Sequence, residues 1–249
     1  MRKVNYLNNK DLLVEIHKSK NNFSYYIDDE YRDYDIILVD KTELTEENID
    51  LAKTRRFNRL KDTNPNMQIS DIKKTDLVFR IMTNEHIPPE YIKTRKSKVS
   101  PEFKLNFDPY KHYKFNDNDE LYEVGRSHWV GGLENGHYSV SHATMTRNLA
   151  NMLMVLVDRY SQKSNWRGYT WIEDMKSQSL LQLTDVALRF DERRFDKPFA
   201  YYTQIALNSF RGVLNDEEEV AEIKNQLMMS EGYDPSFDAQ VKNDMGYDD

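Results

Sequence analysis

The clearest pattern in the chain is the recurrence of apolar side chains every three or four residues through its second half. Over residues 144–160, Leu149, Met152, Leu153, Leu156, Val157 and Tyr160 fall on one stripe, which predicts an amphipathic helix. A polar break over 161–168 follows, with Gly168 as its turn residue. A second helix is predicted over 171–190, with Ile172, Met175, Leu180, Leu183, Ala187 and Phe190 inward. After a charged connection at 191–197, Asp196 before Pro198 suits a helix start, because proline in the first turn sacrifices no hydrogen bond. The third helix, 198–214, turns Tyr202, Ile205, Ala206, Ser209, Phe210 and Val213 inward. Asn215 and Glu218 resemble a capping box opening a fourth helix that carries Val220, Ile223 and Leu227. These four helices are expected to form one small bundle.

The first half has weaker periodicity. Asn8 ahead of Asp11, Leu12, Leu13 and Ile16 predicts a short amphipathic helix. Residues 35–39 and 76–82 are strand candidates, and 45–61 between them reads as a helix with acids in its first turn and Arg55, Arg56, Arg59 and Lys61 near its end. Asn135-Gly136 signals a hairpin turn. The expected architecture is mainly α, a helical bundle with an inserted mixed α+β module. It divides into an N-terminal helical segment (1–23), the insertion (24–141), a helical domain (142–229) and an acidic flexible tail (230–249).

Composition narrows the chemistry. The chain has 249 residues, and the absence of cysteine excludes disulfides, thiolate metal sites and cysteine nucleophiles. No apolar run approaches the roughly 20 residues needed to span a bilayer, so no membrane partner is expected. The net charge of −7 is uneven: residues 142–214 hold 10 basic and 7 acidic side chains, whereas 215–249 hold 2 and 11. A mildly basic block beside an acidic tail is compatible with local phosphate contact.

Enzyme templates are missing. There is no phosphate loop, dinucleotide fingerprint or zinc helix. His128, His137 and His142 cluster, but they read as loop histidines of a hairpin, flanking Trp129 and Tyr138. Glu173 and Asp174 are adjacent and point to different helix faces. Neither enzymatic activity nor a cofactor or metal is expected. The third helix is more informative, because its outer face carries Tyr201, Gln204, Asn208 and Arg211. An aromatic ring can stack on an extruded base, amides can read adenine edges, and arginine can contact guanine or phosphate. Arg193, Arg194 and Lys197 stand just upstream, where they could hold phosphates. An ordinary solvated helix face is the competing explanation.

The run Leu180-Leu181-Gln182-Leu183-Thr184-Asp185-Val186-Ala187-Leu188-Arg189-Phe190-Asp191-Glu192-Arg193-Arg194, followed by Phe199-Ala200-Tyr201-Tyr202-Thr203-Gln204-Ile205-Ala206, resembles region 2 of bacterial sigma factors. A closer resemblance is to the late-transcription sigma factors of T4-like phages. Their Asn-Tyr-x-Asn-Asn-Lys-x-Leu-Leu opening is matched by residues 5–13, and their Pro-x-Ala-Tyr-x-Thr-Gln pattern by residues 198–204.

The resemblance implies a sigma-type subunit in the cytoplasm of the infected host bacterium. It would bind the clamp-helix coiled coil of host RNA polymerase core through Asp174, Ser177, Gln178, Leu181 and Asp185. It would engage a −10-type element of promoter DNA with Phe199 and Tyr201, Tyr201 stacking on an unpaired base. The family also implies that the tail binds a phage sliding clamp or a co-activator. Three features depart from the family pattern. Gln204-Ile205 stands where primary sigma factors carry a tryptophan pair. Residues 215–219 are acidic where phage relatives are basic. The tail, with Phe237, Val241 and Met245 among acids, matches the clamp-binding peptide poorly. The alternative is a polymerase-binding regulator that keeps the docking helix and does not itself read DNA.

Overall fold

Side-chain caps decide where the first helices begin. Asn8 accepts the backbone N–H of Asp11 and opens α1 (Asn9–Asn22), and Thr45 accepts that of Asn48 and opens α2 (Glu46–Leu60). The computed structural model describes residues 7–92, 104–237 and 240, so Asn5 and Tyr6 of the N-terminal motif lie outside the described residues. The chain divides into two compact units. One comprises residues 1–150 and 186–198, the other 151–185 and 199–249.

The first unit is organised by a five-stranded sheet in the order β1-β5-β4-β3-β2. Its strands are β1 (Ser24–Tyr26), β2 (Ile36–Leu38), β3 (Phe79–Met82), β4 (Tyr110–Phe115) and β5 (Leu121–Ser127). β2 and β3 run parallel, and every other neighbouring pair is antiparallel. The expectation of a mainly α protein is therefore corrected: this is an α+β fold. α1, the start of α3 and residues 186–198 belong to the same unit as the sheet.

The hairpin joining β4 to β5 turns at Asn116, whose side-chain oxygen accepts the backbone N–H groups of Asn118 and Glu120, with Asp119 at φ 65°. Asn135-Gly136 does not form a two-residue turn. It ends a longer loop between β6 (Trp129–Val130) and β7 (His137–Tyr138).

The two faces of the sheet differ. One face is apolar: Ile36, Leu38, Phe79, Ile81, Tyr113 and Phe115 are buried with Ile49 and Ala52 of α2. Asp35, with a fully buried side chain, fastens this layer. Its carboxylate accepts the Val78 N–H at 2.9 Å and lies 2.6 Å from Arg59 and 3.2 Å from Arg56. The other face is aromatic and charged, and is met by side chains of α1. One register row crosses it: Tyr26, Gly125, His112, Arg80 and Ile37. The Tyr26 ring lies directly over Gly125. A Cβ there would collide with that ring and approach the Tyr25 carbonyl oxygen to 2.8 Å, so only glycine fits.

The second unit is helical. It holds α3 (Arg147–Ser161) beyond its first turn, α4 (Ile172–Val186) up to Asp185, and α5 (Pro198–Ser230) from Phe199 onward. Leu153, Leu156, Val157, Met175, Leu183, Tyr202, Ala206 and Phe210 are buried. Tyr160 and Trp166 meet the Phe210 ring edge-on, with centroids 5.3 and 5.4 Å away. Lys176 of α4 pairs with Asp158 of α3 at 3.4 Å. Two helix boundaries differ from expectation. α4 gives way to a 3₁₀ turn over Ala187–Arg189, and no break occurs at Asn215. Asn215 follows neither a proline nor a residue in the left-handed region, so the helix continues for 33 residues. It stops at Gly232 (φ 81°), where the Tyr233 and Gly232 N–H groups return to the Met228 and Met229 carbonyls. No helix among the described residues is long and apolar enough to cross a membrane.

Candidate functional site

The helical period of α4 sets five of the expected contact residues on one face. Asp174, Ser177, Gln178, Leu181 and Asp185 are all exposed, while Met175, Ser179 and Leu183 of the same helix are buried. Leu181 is 64% exposed, an apolar side chain set among polar ones. Such a patch suits a partner surface that offers both an apolar contact and hydrogen bonds.

The stripe on α5 is more constrained. Gln204, Asn208 and Arg211 are exposed, and Phe199 is 41% exposed. The Gln204 amide donates to the Asn208 side-chain oxygen at 2.8 Å. Tyr201 is half-buried, its ring edge-on to buried Tyr202 with centroids 5.3 Å apart.

Arg193, Arg194 and Lys197 belong to the first unit with the rest of residues 186–198. Asp191 collects the two arginines, with its carboxylate 3.3 Å from each guanidinium and its Oδ1 accepting the Arg193 backbone N–H at 3.0 Å. Lys197 is exposed.

A buried charge cluster holds this basic link, and pattern reading did not find it. The Glu192 side chain, 7% exposed, reaches Lys20 at 3.3 Å and Arg80 at 3.5 Å. Arg80 is buried between the rings of Tyr34 and Tyr110, 4.0 and 3.8 Å from their centroids, and its Nε donates to His112 Nε2 at 2.9 Å. Lys20 also donates to the Phe190 carbonyl at 2.9 Å. Burial alone would raise the Glu192 pKa, but the Lys20 and Arg80 charges outweigh it and hold the carboxyl below its usual range. Burial lowers the Lys20 amine against the pull of Glu192. The only sequence signal was an arginine inside the apolar strand Phe79–Met82.

A groove of about 690 Å³ opens beside the link, lined in part by Tyr34, Leu38, Asn48, Arg55 and Arg193. It lies against β2, an edge strand of the sheet.

Of the three hairpin histidines, only His128 is buried. His128 is fully buried at φ 54°, its Nδ1 is 3.2 Å from Ser127 Oγ, and burial pushes its pKa down to about 3. His86 contacts the Ser127 carbonyl at 2.9 Å through Nε2, and burial lowers it to about 4. His137 and His142 are exposed. Among the described residues, no three His, Asp or Glu side chains are placed to hold a metal ion.

On the tail, Tyr233 and Phe237 are 69% and 77% exposed, while Val241 and Met245 lie outside the described residues. Comparison with known proteins adds no relative, since no family model, curated protein or solved structure matches this chain.

Proposed function

We propose that the chain is a sigma-type initiation subunit of phage late transcription. In this reading it binds host RNA polymerase core in the infected cell, recognises a −10-type element and performs no chemistry of its own. The observation that supports it most is the exposed face of α4, where Leu181 stands among Asp174, Ser177, Gln178 and Asp185. Those positions are the ones the sigma resemblance assigns to the polymerase clamp helices. Binding there would rest on a small apolar anchor within a polar rim. Base capture by Tyr201 would contribute stacking, typically about 1–3 kcal/mol per base.

Run-off transcription with purified bacterial core polymerase on a phage late-promoter template tests the reading. Promoter-dependent transcripts are expected only when the chain is present. Core binding without promoter-dependent transcripts would replace it with the second reading, a polymerase-binding regulator that leaves DNA unread. A specific observation favours that second reading. The would-be readers are engaged internally, Gln204 with Asn208 and both arginines with Asp191.

A further inference from the structure

Among the described residues, the second half of α5 is a helix without a protein surface to lie on. None of residues 211–230 is buried, yet the helix is continuous and properly capped at Gly232. Twenty residues of helix extend about 30 Å, and most helical stability in water comes from burying an apolar face. An apolar face is present. Val220, Ile223 and Leu227 are 60%, 50% and 61% exposed, at a spacing that puts all three on one stripe with half-buried Val213. In heptad terms Val213, Val220 and Leu227 repeat at one seam position and Ile223 takes the other.

The borders of the stripe are mostly acidic, with Lys224 the one base, a heptad after Glu217 on the same side. At 100° per residue, Glu217 lies along one side and Glu219 along the other, while Asp216 falls within the seam one turn before Val220. Residues 215–223 hold five acids and no base, and Lys224 is the only base between Arg211 and the cap. This charge selects the occupant. A parallel second copy in register would set Asp216 against its own twin inside the seam, and an anionic membrane would repel the same face. We infer that Val220, Ile223 and Leu227 form a docking seam for a basic amphipathic helix of a partner protein, with Asp216, Glu217 and Glu219 pairing to its lysines or arginines. A cation opposite Asp216 fixes the register, as a polar seam residue does in coiled coils. The inference rests on α5 alone and is independent of the transcription reading.

Fluorescence anisotropy on the full chain tests it with a labelled three-heptad peptide carrying leucines at both seam positions and lysines on both flanks. Saturable binding is expected, weakened roughly tenfold or more by Val220→Ser, Ile223→Ser and Leu227→Ser together. The double variant Glu217→Lys with Glu219→Lys should lose this peptide and gain its glutamate-flanked twin. It leaves the seam intact, so it keeps the test decisive if the triple variant loses helicity by circular dichroism. Four results would overturn the inference: equal binding of a lysine peptide with serines in the seam, unchanged binding by the triple or double variant, dimerisation in sedimentation that the seam substitutions abolish, or seam-dependent binding to phosphatidylglycerol vesicles.

Discussion

Gln204 donates to Asn208 across one turn of α5, at 2.8 Å, so one N–H and one carbonyl oxygen of the two amides that could read base edges are already paired with each other. In the proposed reading, recognition through that pair exchanges one hydrogen bond for another, so stacking by Tyr201 is the larger expected contribution. Tyr201→Ala should therefore destabilise the open promoter complex by about 1–3 kcal/mol, while Asn208→Ala costs less. Permanganate reactivity of unpaired thymines, with polymerase saturated, measures both. Wild-type opening by Tyr201→Ala would leave this face without a role in DNA reading.

The α4 face predicts a charge effect on assembly. Asp174 and Gln178 are exposed one turn apart, so Asp174→Arg with Gln178→Arg should leave the fold intact and weaken core polymerase binding by roughly tenfold or more. A fluorescence titration against core polymerase reads the loss. An unchanged dissociation constant would place the contact elsewhere.

Glu192→Gln should be among the costly substitutions. It leaves the buried Arg80 guanidinium and Lys20 ammonium without their shared carboxylate, a change that typically costs about 3–5 kcal/mol. Urea denaturation should show a lower midpoint with the sheet unit affected first. A midpoint within error of wild type would mean the cluster is solvated.

Acid should destabilise the sheet unit through its histidines. Burial holds His128 at about 3 and His86 at about 4, against an ordinary value near 6.5. As pH falls below about 6.5 the unfolded chain takes up protons that the folded chain refuses, so stability declines down to the folded pKa values. Each such histidine contributes a slope of up to about 1.4 kcal/mol per pH unit in that window. His128→Asn, which tolerates the left-handed backbone, should flatten the loss between pH 7 and pH 5 in parallel denaturation curves. An identical slope in the variant would show that His128 titrates normally.

Strong local signals made the helices legible. Asn8 and Thr45 cap α1 and α2 where the sequence places them, and the stripes of α3 and α4 face inward as their spacing predicts, with Met152, Ile172 and Leu180 half-buried and the rest buried. β2 and β3 fall within their candidate segments. β4 and β5 were not legible, since Lys111, His112 and Glu123 interrupt any apolar alternation; Lys111 instead pairs with Glu85 and Glu123, and His112 bonds to the Tyr31 carbonyl. The Asn215 signal misled because a capping box needs a broken helix, and nothing in Val213 or Leu214 breaks one. On the candidate faces, the exposure of Asp174, Leu181 and Gln204 followed from periodicity. The burial of Glu192 did not, because its partners Lys20 and Arg80 are remote in sequence.

That remoteness dictates an order of events during synthesis. Arg80 waits 112 residues for Glu192, and Lys20 waits 170 for the Phe190 carbonyl. The intervening residues 151–185 belong to the other unit and leave the ribosome first. Closing so long a loop adds only about 0.6 kcal/mol per doubling of length, so the delay costs time more than free energy. Until residue 192 emerges, a guanidinium and an ammonium at the centre of the sheet unit lack their anion. A chain cut after residue 150 is accordingly an incomplete unit, and it closes only once residues 186–198 have joined it.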